Sequence, residues 1–415
     1  VQEGALEKYV SSVKSMTSKP VVSVGRFTSP DAMVGQLKRG VMDLIGAARP
    51  SIADPFLPRK IEEGRPEDIR ECIGCNICYT GDSRYYPIRC TQNPTMGEEW
   101  RRGWHPEKIA PKASDSTVLV VGAGPAGLEA ARALGQRGYR VVLAEATREL
   151  GGRVTAESAL PGLAEWARVR DYRIGQINRM PNVEVFRENE LDLAQVLEVG
   201  ADHVAIATGC TWRRDGFGNT HAVAIDPLPP RERTFTPDDI MNGTMPVGSV
   251  LVFDDDRFYM GGVIAERLAE NGNDVTYLTP AAMASFWTFY TDEHDLVYRR
   301  LARAGVRIIL NRELLSYDGE HAQTGCIYTG APETIGADNL VLVTSRAPRD
   351  ALFHALQEAV AQGIEGAPRT VACIGDSNAP AIIAAAVYAG HKYARELDCV
   401  RRPEERVKWD RVLVR

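Results

Sequence analysis

Four cysteines fall close together as Cys72-x2-Cys75-x2-Cys78, followed by eleven residues and then Cys90. Three thiols at i, i+3 and i+6 surround one compact cavity and a distant fourth closes it, which is how iron–sulfur clusters are ligated. Structural zinc more often takes two separated pairs. The spacing therefore points to a 4Fe–4S cluster, with a zinc knuckle or a group of reduced thiols as alternatives. Gly74 and Asn76, lying among the ligands, let backbone amides turn toward sulfur, and Pro94 stiffens the exit. The surrounding stretch, Glu71–Trp104, is rich in Cys, Gly, Pro and Asn and has no usable periodicity. It is loop-like and must be organised from outside.

On its N-terminal side lie two strand–helix units. Strands over 20–24 and 41–45 alternate with helices over 30–39 and 55–63, which implies parallel βα architecture. After the strands come Gly25-Arg26 and Ala48-Arg49, as at the last part of a (β/α)8 barrel, where a phosphate site is often built. Arg26 and Arg49 could clamp one phosphate there, with backbone amides helping. Alternatively each pairs locally, with Asp31 or Asp54.

Beyond a linker over 106–116 the pattern becomes doubly wound, beginning with a strand over 118–121, a helix over 127–137 and a strand over 140–144. Gly122-Ala-Gly124-Pro-Ala-Gly127 follows the first strand directly and opens the helix, and Glu145 ends the next strand. Gly122 permits the tight turn, Gly124 lets a pyrophosphate approach the backbone, and Gly127 lets helix pack on strand. Glu145 can accept bonds from an adenosine ribose and repels a 2′-phosphate. Gly152-Arg153 and Thr208-Gly209 should flank the nucleotide, and Asp376 sits where flavoprotein folds often meet a ribityl chain. A second such start, after a strand over 250–253, is broken. Its glycine positions hold Asp254, Asp256 and Tyr259, so this half is expected to bind no nicotinamide nucleotide.

The predicted fold class is α/β, in five segments. The end of a (β/α)8 barrel occupies 1–66, and an iron–sulfur segment with its linker occupies 67–110. An ADP- or FAD-binding Rossmann-like domain over 111–240 resumes at 346–415, around an inserted, degenerate NAD-type domain over 241–345. A formal net charge of -6 gives no basic footprint, so nucleic acid and anionic membrane are excluded as expected partners. The longest apolar stretches are too short to span a bilayer. Cys210, Cys326, Cys373 and Cys399 are scattered, which favours a reducing, cytoplasmic setting over a disulfide framework. His105, His203, His221, His294 and His391 show no pairing that suggests a catalytic triad.

Val24-Gly-Arg26, Gly46-Ala-Ala-Arg49-Pro, Cys72-Ile-Gly-Cys75-Asn-Ile-Cys78, Cys90-Thr-Gln-Asn and Val121-Gly-Ala-Gly-Pro-Ala-Gly127 occur here in order. Together they resemble the iron–sulfur flavoenzymes related to trimethylamine, dimethylamine and histamine dehydrogenase and to 2,4-dienoyl-CoA reductase. Glu98-Glu-Trp-Arg-Arg-Gly-Trp-His105 looks closest to the amine branch. The resemblance implies an FMN whose phosphate is held by Gly25, Arg26, Ala48 and Arg49. It also implies oxidation of a small amine, with electrons leaving singly through the cluster to an electron-transferring flavoprotein. The first nucleotide site would hold ADP in the amine branch and FAD in the reductase branch. The family's first six barrel strands, with their catalytic groups, have no counterpart here. The chain is therefore expected to be part of a longer polypeptide, or a subunit completed by another, and to form a homodimer. An NAD(P)H-dependent enoate reductase and a non-catalytic electron-transfer subunit are the competing readings.

Overall fold

The computed structural model describes residues 3–220, 222–229 and 232–399. Val1, His221 and residues 400–415, the end of the predicted segment 346–415, lie outside them.

Thr117–Val121 reads Thr-Val-Leu-Val-Val, an unbroken apolar run that only a strand covered on both faces satisfies. It is the middle strand of a five-stranded parallel sheet ordered Thr370–Cys373, His203–Ile206, Thr117–Val121, Arg140–Ala144 and Val183–Phe186. Val118 and Val120 pack under the helices Pro125–Arg137 and Ile383–Glu396. Leu119 and Val121 face the other way, onto Leu193–Val199 and Ala351–Gln362.

A second five-stranded parallel sheet runs Arg307–Ile309, Asp274–Leu278, Ser249–Asp254, Asn339–Val343, Thr234–Phe235. Beside it lies an antiparallel sheet of Arg312–Tyr317, His321–Cys326 and Pro332–Gly336, which the sequence pattern does not announce. Leu314, Tyr317 and Ala322 pack on Leu251, Phe253 and Leu340, while Leu315 and His321 between them are exposed. Cys210–Trp212 and Arg346–Pro348 pair antiparallel, so the chain leaves the first sheet and returns to it side by side. This is the expected insertion.

The opening strands are shorter than predicted. Val22–Ser23 pairs in parallel with Leu44–Ile45, and Val22, Val24 and Leu44 are 60%, 54% and 54% exposed. Parallel strands ordinarily hide both faces, so this pair presents an uncovered apolar surface. Ala48 opens a helix, Ala48–Ala53, rather than ending a strand, and Pro50 fits its first turn. The cysteine stretch is also less loop-like than expected. It holds the helices Ile77–Ser83 and Glu99–Arg102, both too short for periodicity to reveal.

A buried ion pair ties the opening units to the linker. Lys60, 3% exposed, donates from Nζ to Asp54 Oδ2 at 2.6 Å, to the Asp68 carbonyl at 2.9 Å and to Glu107 Oε1 at 3.2 Å. The backbone N–H of Arg70 donates to the same Asp54 oxygen at 2.9 Å. Lys60→Met strands a fully buried carboxylate and should cost about 3–5 kcal/mol in denaturant unfolding. A loss below about 1 kcal/mol would contradict this account of the tie.

Candidate cofactor sites

The four cysteines are partly buried and gather in one region. Burial pushes the Cys75 and Cys90 thiols up to about 12, and the neighbouring Cys72 sulfur adds to both shifts. The same sulfur acts on Cys78, whose thiol burial also raises. Donors surround the sulfurs. The Gly74 N–H donates to Cys72 Sγ at 3.3 Å, the Thr91 hydroxyl lies 3.1 Å from Cys75 Sγ, and the Gln92 and Asn93 amides reach Cys90. Positive φ at Gly74 (69°) and Asn76 (54°) turns the chain around them. Among the described residues no three His, Cys, Asp or Glu side chains converge tightly enough for one metal ion. A tetrahedral zinc needs all its sulfurs about 2.3 Å from a single point. Neighbouring sulfurs under N–H and hydroxyl donors are the surroundings that thiolate ligands need.

Arg26 and Arg49 face this loop. Arg26 Nη2 donates to the Gly74 carbonyl at 2.6 Å, and Arg49 Nη1 donates to Asn76 Oδ1 at 2.5 Å. Neither is held by the local carboxylates weighed for it, since Asp54 is taken by Lys60 and Arg70. Both guanidiniums act on Cys72 and on Glu293, a residue that sequence reasoning did not single out. Burial raises the Glu293 carboxyl to about 7, against the pull of the two arginines. Glu293 arrives from the inserted domain, 267 positions after Arg26, so no local signal could have found it.

At the glycine loop the three glycines meet three different surroundings. A Cβ on Gly122 would come within 2.4 Å of the Ala207 carbonyl, and one on Gly127 within 1.8 Å of the Gly122 carbonyl. A Cβ on Gly124 would meet only open space. The first two are packing requirements. The third leaves the gap that a pyrophosphate needs. Gly152 stands against Gly124, and Thr208 and Gly209 are bonded to the backbone of Arg349, so both predicted flanks lie beside the loop. Glu145 Oε2 accepts the Ala123 N–H at 2.7 Å, and its Oε1 accepts the Thr147 N–H and hydroxyl at 3.0 and 2.9 Å. A carboxylate has about four acceptor sites, so Glu145 buttresses the loop and keeps one for a ribose hydroxyl.

Asp376, expected beside a ribityl chain, lies among charged partners. Its Oδ2 meets Arg153, Arg346 and the Cys210 thiol, each at 3.3 Å, and its Oδ1 accepts the Ala381 N–H at 3.0 Å. Arg153 also pairs with buried Glu157 at 2.9 Å. This ionic knot surrounds the carboxylate expected to meet a ribityl chain.

The second glycine-type turn is filled from within. Rather than facing a pyrophosphate, Asp254 accepts the Arg257 N–H at 2.8 Å and is bonded to the Tyr277 hydroxyl. Asp255, fully buried, accepts from the Thr220 N–H at 2.6 Å and the Thr220 hydroxyl at 2.7 Å. Tyr259 does not stand over the turn. It is buried, edge-on to Trp166 at 5.3 Å. His391 is buried in the fold: its Nδ1 lies 2.7 Å from Glu129, and burial lowers it to about 4.

Comparison with known proteins agrees with this architecture. Residues 2–68 match the NADH:flavin oxidoreductase / NADH oxidase family, residues 116–228 the pyridine nucleotide-disulphide oxidoreductases, and residues 235–318 the OYE-like second alpha/beta domain. Dimethylamine dehydrogenase of Hyphomicrobium sp. (strain x) is 38% identical, over 94% of this chain and 56% of its own length. The solved histamine dehydrogenase of Rhizobium sp. 4-9 superposes with a TM-score of 0.95 at 51% identity, covering 99% of this chain and 61% of that one. The 6-hydroxypseudooxynicotine amine oxidase of Pseudomonas geniculata N1 gives a TM-score of 0.92 at 46% identity, covering 96% and 59%. The chain thus spans between 56% and 61% of the length of these relatives. No helix among the described residues is long and apolar enough to cross a membrane.

Burial, with the nearby Asp256 charge, raises the Asp254 carboxyl to about 7 from 3.8. Between those values the folded chain binds a proton that the unfolded chain releases, so this contribution to stability is present at low pH and lost as pH rises through about 7. Asp254→Asn should therefore flatten the fall in thermal midpoint between about pH 5 and pH 8. A slope matching the parent's would contradict the assignment.

Proposed function

The chain belongs to the iron–sulfur flavoprotein family that includes the dimethylamine and histamine dehydrogenases, and on that premise we propose that it is the cluster-bearing part of an amine dehydrogenase. The observation that carries the reading is the turn Asp254–Tyr259. A nicotinamide nucleotide needs a phosphate cradle there, and carboxylates bonded to their own surroundings take its place. Electrons are then supplied by a substrate at the barrel rather than by NAD(P)H.

Cys72, Cys75, Cys78 and Cys90 ligate a 4Fe–4S cluster, and the amides of Gly74, Gln92 and Asn93 direct hydrogen bonds at the sulfurs. Arg26 and Arg49, with the Gly25 and Ala48 backbone, hold the FMN phosphate from the cluster's side. When bound, FMN takes a hydride equivalent from a small amine and the cluster passes the electrons on singly, toward an electron-transferring flavoprotein. Gly122, Gly124 and Gly127 receive a nucleotide pyrophosphate, and Glu145 its ribose. The nucleotide is ADP rather than FAD, as in the amine branch, which the self-filled turn at Asp254–Tyr259 supports.

The same reading places the barrel end at 1–66, the cluster segment at 67–110, the nucleotide domain at 111–240 and 346–415, and its insertion at 241–345. The exposed valines and leucine of the opening strands are the seam for the rest of a barrel, and the whole enzyme is a cytoplasmic homodimer.

Purified protein should carry about four iron and four sulfide per chain, and Cys90→Ser should lose most of both. Heat-released nucleotide should chromatograph as ADP. Stoichiometric FAD, or a single zinc in place of iron, would overturn the assignment.

A further inference from the structure

Arg173 is fully buried, the bulkiest side chain so placed, on the helix Ala167–Ile177. A guanidinium leaves water only where its donors and its charge are answered. Arg173 Nη1 donates to Gln92 Oε1 at 2.9 Å and to the Val169 carbonyl at 2.8 Å, and Nη2 donates to the Gln92 carbonyl at 3.1 Å. Gln92 is thus gripped by its side chain and its backbone together. Its own Nε2 donates to the Glu71 carbonyl at 3.0 Å and to the Arg168 carbonyl at 3.1 Å. One buried amide therefore staples the residue before Cys72 to the residue two beyond Cys90, and the Gln92 N–H is among the donors to Cys90 Sγ.

Arg173 also reaches the nucleotide-type helix through Glu129. Its Nε lies 2.9 Å from Glu129 Oε2, yet Glu129 also pairs with Arg132 at 2.6 Å, so two buried guanidiniums share one carboxylate. The remaining contact, His391, is held neutral by burial. Both guanidiniums lean on Glu129, and the bonds from Arg173 to the two oxygens of Gln92 are what tie that helix to the cysteine segment. Glu129 belongs to Pro125–Arg137, the helix that opens at the glycine loop.

We propose that Arg173 is a positioning residue for the cluster, fixing the Cys90 arm through Gln92 against the nucleotide-binding helix and setting the cluster's reduction potential by that grip. The inference rests on reading the four cysteines as cluster ligands. Hydrogen bonds to cluster sulfurs, such as that of the Gln92 N–H to Cys90, favour the more negative, reduced form. Loosening the grip therefore lowers the potential.

The test is an EPR-monitored redox titration of the full-length holoenzyme carrying Arg173→Met, Arg173→Lys or Gln92→Met, with iron and nucleotide content measured alongside. Arg173→Met should shift the cluster midpoint to more negative values, Arg173→Lys by less, and Gln92→Met in the same direction, with nucleotide content kept. Loss of iron from Arg173→Met with nucleotide retained also supports the assignment. If Arg173→Met does not fold, Gln92→Met decides alone. Midpoints and EPR line shapes equal to the parent's in the folded variants would overturn it. A parent protein without iron would instead sink the cluster reading beneath it.

Discussion

Arg168 and Arg173 reach from one helix to the two ends of the cysteine segment, Arg168 to the Cys72 carbonyl at 3.1 Å and Arg173 to Gln92 at 2.9 Å. The segment contributes little apolar surface of its own. Ile73 and Cys75 pack with Val154, Val169, Val387 and Trp166, all from the nucleotide domain. Where burial is small, order must come from directional bonds, and these bonds come from outside the segment. Arg26 and Arg49 complete the hold from the barrel side. The cysteine loop is therefore the junction of the molecule: barrel end, nucleotide domain and inserted domain each contribute to its surroundings.

The two nucleotide-type sheets show how one architecture serves two ends. Both are parallel and five-stranded, and both turn sharply from strand to helix at the place where a phosphate binds. In the first, Gly124 leaves that place open. In the second, Asp254 and Asp255 close it with their own hydrogen bonds. The second sheet then serves as structure. It carries Tyr259 against Trp166 and delivers Glu293 to the arginine pair.

What the sequence discloses follows from the range of each interaction. The cysteine spacing, the glycine loop and Glu145 are local patterns, legible because the residues of each lie close in sequence, and Glu145 accepts the Ala123 N–H of the loop. The insertion was legible too, because buried parallel strands read as continuous apolar runs. The antiparallel sheet over 312–336 escaped notice because polar residues interrupt its short strands. The ion pair of Asp376 with Arg346 joins residues 30 positions apart, so no local pattern announces it. The Glu129–Arg173–Gln92 chain was invisible for the same reason. Each member looks like an ordinary surface residue until folding buries all three.

On the proposed function, electrons enter from an amine at the barrel and leave through the cysteine-bound cluster. The most direct measurement is anaerobic stopped-flow reduction of the full-length holoenzyme by small amines and, separately, by NADH and NADPH, with freeze-quench EPR of the cluster. The account predicts that an amine bleaches the flavin and a reduced-cluster signal then grows in, while neither nicotinamide nucleotide reduces the flavin at a comparable rate. Rapid reduction by NADPH with every amine inert would contradict it.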